Sequence, residues 1–440
     1  MKKPLYLLLA LCFACSAEAA DYVIAVRKVH ATSEAWKPVV DALQAKYADA
    51  TVLTFDDQPE EMLDGLKKLH PRFTCFVSPH EEVTRAFVKK VHIMTRAIDD
   101  DPYTDTLWGI LTGYDAANAL RIAKQKDPLT IRKVGSGTEF ATEMVEEGVW
   151  YCELVKNRMV IKQAGKEARE EKGPDDTTLP LVNLLNEYES DLFITSGHAT
   201  ERDWQIGFRY RNGSFRSHAG HLYGLDTQKQ RHPIESPNPK VYLPIGNCLM
   251  GHINGPDSMA LAWMNSAGVH QMIGYTVETW FGYGGWGCLD YFVEQPGRYT
   301  FTEAFFANHH ALIHTLQHEP SRGLAFDRDV VVLYGDPAWE ARMADRPKAW
   351  DQQLEEKDGL FTFTLTPNRG VDTFTPVNLN GAQRGHRPIV ELFPFRLTGI
   401  EVIEDHDLNA LVADDFLLIP NPEGCDPKRT YAVTFKASRL

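Results

Sequence analysis

Cys248 and His198 are the two residues of this chain whose types and settings could together perform chemistry. A cysteine thiol beside an imidazole is a nucleophile with a base that takes its proton and later returns it. Such a pair serves acyl transfer, provided that donors are placed for the oxyanion of the tetrahedral intermediate. Taken singly, neither residue argues for anything. A histidine at a strand end is usually a loop residue, and a lone cysteine is usually buried filler. Their settings are what match. His198 follows the apolar run Leu192-Phe193-Ile194 and Gly197, and Cys248 follows Val241–Ile245 and Gly246-Asn247. Each lies at the turn out of a short β run, where main-chain N–H groups are free to hold an anion.

Other chemistries fit less well. No GxxxxGK[ST] or GxGxxG follows any strand-like run, so a phosphate-binding loop is not expected. His310, His314 and His318 recur every four residues, and adjacent members could share a metal, but HExxH is absent. His218 and His221 fall in a polar loop. A zinc hydrolase built on Cys248, His252 and a distant histidine ranks below the thiol reading. It leaves both the strand before His198 and the YTVETW segment without a purpose. The run Asp99-Asp100-Asp101 could hold a structural calcium with its oxygens, although such runs more often form a solvated helix end. A third reading is a non-catalytic domain kept as a binding module. The thiol chemistry needs no cofactor, and no metal is assigned to it.

The elements that must position the pair are legible as a rhythm. From Tyr22 the chain alternates β-rich runs (Tyr22–Val26, Thr51–Phe55, Phe73–Val77, Leu107–Leu111) with helical ones. The helical stretches are Ser33–Tyr47, Glu60–Leu69, a longer one from Pro79 to about Ala97, and Asp115–Lys124. This alternation predicts an α/β fold, a mostly parallel sheet with helices on its faces. The expected organisation is an N-terminal α/β subdomain over 20–190, a subdomain carrying the pair over 191–346, and a C-terminal β-sandwich over 350–440. Within the first, 162–176 is charged, Gly/Pro-punctuated and reads as an exposed connector. A helix over Ser258–Ser266 should follow Cys248. In the last part, Gly359–Thr366, Ile389–Leu397, Gly399–Glu404 and Tyr431–Ala437 are β-like and separated by turn residues, which suggests an immunoglobulin-like sandwich.

At 440 residues, 43% hydrophobic and 24% charged, the chain has the makeup of an ordinary globular protein of two or three domains. Its net charge of -14 argues against a nucleic-acid partner, which needs a basic face. Lys2-Lys3, the apolar run Leu5–Ala14 and Ala17-Glu18-Ala19 predict a signal peptide over 1–19, hence export to the periplasm or beyond. A lipoprotein modified at Cys15 is the weaker alternative. No later run reaches the ~18 apolar residues of a transmembrane helix. Cleavage would leave Cys75, Cys152, Cys248, Cys288 and Cys425, an odd number, so at least one thiol stays free or pairs between molecules.

The order of these blocks resembles the caspase-like superfamily of cysteine peptidases, and within it the gingipain type. An apolar block with Ser196-Gly197-His198 is followed, about fifty residues on, by an apolar block with Asn247-Cys248. GVHQMIGYTVETW resembles the strand that ends in the tryptophan of the specificity pocket, here Trp280. The helix Phe301–Leu316 and the VVVLYGDPAW segment, with its Gly335-Asp336-Pro337 turn, extend the likeness over roughly 190–340. The resemblance implies Cys248 as nucleophile, His198 as general base and acid, and a peptide or protein substrate. It also implies an oxyanion hole from the main-chain N–H groups of Cys248 and Ala199. The family usually has His-Gly where this chain has His198-Ala199, so Ala199 must hold its N–H in place without a positive φ. Family pockets that accept Arg or Lys carry an acidic residue. Glu278, two before Trp280, would share its side of a strand and supply it. Gly282–Gly287 is expected as a flexible loop beside the substrate.

Overall fold

The computed structural model describes residues 21–381 and 383–440; the expected leader, with Cys15, lies outside the described residues. Among them, no helix is long and apolar enough to cross a membrane. The β/α alternation closes into one twelve-stranded, mostly parallel sheet. Its strand order begins Thr51–Phe55, Tyr22–Arg27, Phe73–Val77, Leu107–Leu111, Val331–Gly335 and Val269–Tyr275. It continues Lys240–Pro244, Leu192–Thr195, Lys133–Ser136, Glu147–Tyr151, Arg158–Lys162 and Arg169–Lys172. Val331–Gly335 runs antiparallel to Val269–Tyr275, and the last two strands form antiparallel pairs at the edge. The charged stretch near 162–176 therefore contributes an outermost strand, Arg169–Lys172, largely exposed.

The central strands are buried along their whole length, as a parallel sheet covered on both faces requires. Helices Lys37–Lys46 and Ala116–Lys124 pack on each other, as do Tyr283–Phe292 and Phe301–His318. Sequence signals set several of their ends. Asp115 and Thr84 accept hydrogen bonds from the first turns of Ala116–Lys124 and Arg85–Thr95. Thr300 and Glu303 close a capping box at the start of Phe301–His318. The helix expected from Pro79 begins only at Arg85, because His80–Glu82 first makes a 3₁₀ turn.

Two expectations are corrected. GYGGWG is not a loop: all but its first glycine lie in the buried helix Tyr283–Phe292. Glycine there serves close packing, since a Cβ on Gly287 would fall 1.8 Å from the Asn308 amide oxygen. That amide in turn bonds the carbonyls of Tyr283 and Gly284. Likewise, the strand through YTVETW stops at Tyr275, so Glu278 and Trp280 share no strand face. The roughly fifty residues between His198 and Cys248 also form a structure that the sequence did not suggest. This is a four-stranded antiparallel sheet of Asp203–Gln205, Ser214–His218, His221–Leu225 and Arg231–Ile234. It packs against the helix Met259–Asn265, which is the one expected after Cys248.

Residues beyond 349 form two antiparallel sheets, one of four strands and one of three, around a core of their own. Phe361, Phe363, Val433 and Phe435 come from one sheet and Ile389, Leu417 and Ile419 from the other. The α/β part has a single continuous core running from Tyr22 to Met343, and Val390, Ala413, Phe416 and Leu418 of the C-terminal part pack into it.

Candidate active site

Register places Cys248 and His198 together. Strands Leu192–Thr195 and Lys240–Pro244 pair in parallel with Thr195 opposite Pro244, so both end at the same level of the sheet. His198 lies three residues beyond the first and Cys248 four beyond the second. They share the carboxyl edge, where open parallel sheets bind their ligands. Gly197 (φ 86°) and Gly246 (φ 92°) turn the chain left-handed on leaving each strand. Lys240 anchors the start of the Cys248 strand. Its fully buried ammonium is surrounded by oxygens of Ser236, Asn238 and Ala267, and burial pushes its pKa down to about 7.

Asn247 ties the two strand ends. Fully buried, it accepts from the Thr195 hydroxyl at 2.7 Å and donates to the Gly197 carbonyl at 3.0 Å. The half-buried Cys248 sulfur receives the Thr279 N–H at 3.3 Å. Leu249, immediately after it, adopts φ 59°, a costly conformation for a bulky side chain. His198 is exposed, with its ring 4.7 Å from that of Phe208. Among the described residues no hydrogen bond joins the imidazole to the sulfur. Contacts of this kind tighten when substrate fills the site. Ala199 is not among the residues with positive φ. Its N–H and that of Cys248 are donated to no acceptor among the described residues.

Both side chains line one cleft of about 380 Å³. Ile245, Phe208, Leu154 and Trp286 give it apolar walls, while Thr138, Glu139 and Glu153 give it a polar side. Glu153 is the group that sequence reasoning missed. Its Oε1 accepts from the hydroxyls of Thr138 and Ser196, and its buried Oε2 has no partner. Desolvation raises its pKa above the ordinary carboxyl range. Its signal in sequence was only that it follows the apolar strand Glu147–Tyr151, since nothing local marks a residue brought in from across the sheet.

The other sequence candidates fall elsewhere. Glu278 and Trp280 are exposed and do not line this cleft; Thr279, between them, does. Trp280, 61% exposed, packs beside Phe326 with ring centroids 5.4 Å apart. His310 is buried between Tyr103 and Phe416 with neither ring nitrogen partnered, and burial depresses its pKa to about 3. The His314 and His318 rings lie tilted against each other with centroids 4.2 Å apart. Among the described residues the only set of three or more ligating groups close enough to share an ion is Asp99, Asp105 and Asp414. Cys248 and His252 are in no such set. From the Asp99–Asp101 run only Asp99 joins it, and the Arg396 guanidinium already lies against Asp414 and within 3.5 Å of Asp105.

No protein-family model matches this chain, and no curated protein matches its sequence. A solved structure named "Structure of Protease" aligns over 97% of this chain and 98% of that one, at 10% identity and a TM-score of 0.47.

Proposed function

We propose that the chain is a cysteine endopeptidase of the gingipain type, acting through Cys248 and His198, exported by its leader and supported by an immunoglobulin-like C-terminal domain. The observation that carries this reading is the Thr195–Pro244 register, which brings a thiol and an imidazole from two adjacent parallel strands to one cleft. In the proposed reaction the Cys248 proton passes to His198 and the sulfur attacks the scissile carbonyl carbon. The oxyanion so formed takes the N–H groups of Ala199 and Cys248. His198 then gives its proton to the departing amine, leaving a thioester on Cys248. Water, deprotonated by His198, attacks that thioester and releases the carboxylic acid.

The basic preference inferred from Glu278 fits better on Glu139 and Glu153, the carboxyl groups of the cleft, with the Trp286 indole as a flat wall for a long cationic side chain. Trp280 is retained as a contact for substrate residues outside the cleft.

The test is selective inactivation. Iodoacetamide should label Cys248 first and stop peptide turnover, while a metal chelator should leave turnover unchanged. Inactivation by the chelator alone would restore the zinc reading, and labelling with no turnover of any peptide would favour a binding module. A second measurement probes the bridge between the strands. Asn247→Ala removes both of its hydrogen bonds in a buried setting, so a loss of about 1–3 kcal/mol of stability is expected. Turnover should fall through kcat more than through KM. Unchanged kcat in folded protein would show that the bridge does not align the pair.

A further inference from the structure

We propose that the C-terminal β domain supplies one wall of the substrate cleft, through Asn380 and Gly381, and that this wall limits the size of the side chain admitted beside Cys248. The inference rests on the peptidase reading for the identity of the ligand, but the wall itself stands on geometry.

Asn380 and Gly381 belong to the segment that joins the strand Leu360–Pro367 to the strand Ile389–Leu392 of the C-terminal sheets. They nevertheless line the same cleft as Cys248 and His198. Two contacts set them there. The Asn380 amide donates to Glu139 Oε2 at 2.6 Å, fastening the segment to the polar side of the cleft. Gly381, at φ 121°, lies so flat on the Trp286 indole that a Cβ would come within 2.6 Å of the ring. Only glycine suits both the conformation and the approach.

The segment is clamped rather than draped. Arg384 and Arg387 are each 7% exposed. Arg384 Nε donates to Asp290 Oδ1 at 2.7 Å, and its Nη2 reaches Glu294. Arg387 Nε donates to Asp290 Oδ2 at 3.0 Å, and its guanidinium lies 3.8 Å from the centroid of Tyr283. The Gly385 N–H makes a third bond to Asp290. Tyr283, Trp286 and Asp290 all lie on the helix Tyr283–Phe292, so the helix that carries one wall also anchors the next. Buried charges so fully paired hold one geometry, because parting them would leave charge stranded without water. The C-terminal domain thus defines the entrance to the site as well as supporting it.

The experiment uses the full chain and reads access to Cys248 directly. Rates of modification by iodoacetamide, which is small, and by fluorescein maleimide, which is bulky, are measured on wild type, Asn380→Ala and Gly381→Ala. Cys248→Ala supplies the background from the other thiols. Asn380→Ala removes the fastening to Glu139 and Gly381→Ala forces the segment off the Trp286 ring, so each should raise the maleimide rate about fivefold or more and leave the iodoacetamide rate unchanged. No change with either reagent, or an equal change with both, would overturn the proposal. Should Gly381→Ala fail to fold, Asn380→Ala decides alone. Because the reagents report access and not turnover, a chain that cleaves no peptide would remove the peptidase reading and still leave the wall tested.

Discussion

Cys248→Ala is expected to abolish peptide hydrolysis, a loss of about 10⁴–10⁶-fold in kcat, and His198→Ala to cost about as much. The two residues act in one proton transfer, so each is useless without the other and the double variant should be no worse than either single one. Initial rates on chromogenic peptides ending in Arg, Lys and Asp would measure this and the side-chain preference together. Faster turnover of the basic peptides is expected, with Glu139→Gln and Glu153→Gln narrowing the difference. Independent, multiplying losses from Cys248→Ala and His198→Ala would mean that they do not form a pair. Full activity in Cys248→Ala would end the thiol mechanism. The fold should survive these changes. Cys248 is only half-buried and His198 is exposed, so neither deletion opens a large cavity in the core.

The pair was legible because its determinants are local. An apolar β run, a glycine and the reactive residue are contiguous in both cases, and the burial of Leu192–Thr195 and Lys240–Pro244 followed from their composition. What lay hidden was whatever depends on partners distant in sequence. Glycine-rich GYGGWG suggests flexibility when taken alone. It becomes helix because Asn308, on another helix, bonds its carbonyls while its missing side chains let neighbours approach. Glu278 and Trp280, two residues apart, would share a face only on a continuing strand, and the strand ends at Tyr275, where its pairing with Val331–Gly335 runs out. Glu153 and Asn380 reach the cleft from strands and domains far from Cys248, and no spacing rule connects them. The run of histidines in Phe301–His318 has ligand-like spacing, but their neighbours decide their roles. His310 is enclosed by aromatic rings, a site that favours its neutral form.

Asp336→Ala is expected to be the most destabilising single change in the α/β core, at about 3–5 kcal/mol. The Gly335-Asp336-Pro337 turn appeared in the sequence as a family-like signature at the end of a strand. In the structure its carboxylate, 1% exposed, joins the two ends of the α/β chain. Oδ1 accepts from the Tyr22 hydroxyl at 2.8 Å, and Oδ2 accepts from Lys46 and from the Tyr47 hydroxyl, each at 2.8 Å. Tyr22 opens the first strand and Lys46 closes the first long helix, so the turn after Val331–Gly335 pins elements some three hundred residues earlier. Alanine would strip the counter-ion from a nearly buried ammonium and the acceptors from two hydroxyls whose pKa values are already raised by burial and by this carboxylate. Asp336→Asn keeps one acceptor oxygen, puts an NH2 donor where the other oxygen accepted, and loses the charge opposite Lys46; it leaves no cavity and should cost less than alanine, about 1–3 kcal/mol. Urea unfolding followed by tryptophan fluorescence would give both values. The ordering decides the argument. If alanine costs no more than asparagine, or less than about 1 kcal/mol, the ion pair is not what holds the turn. The iodoacetamide rate at Cys248, measured without urea, should meanwhile stay at the wild-type value, because Asp336 fastens the scaffold and touches nothing in the cleft.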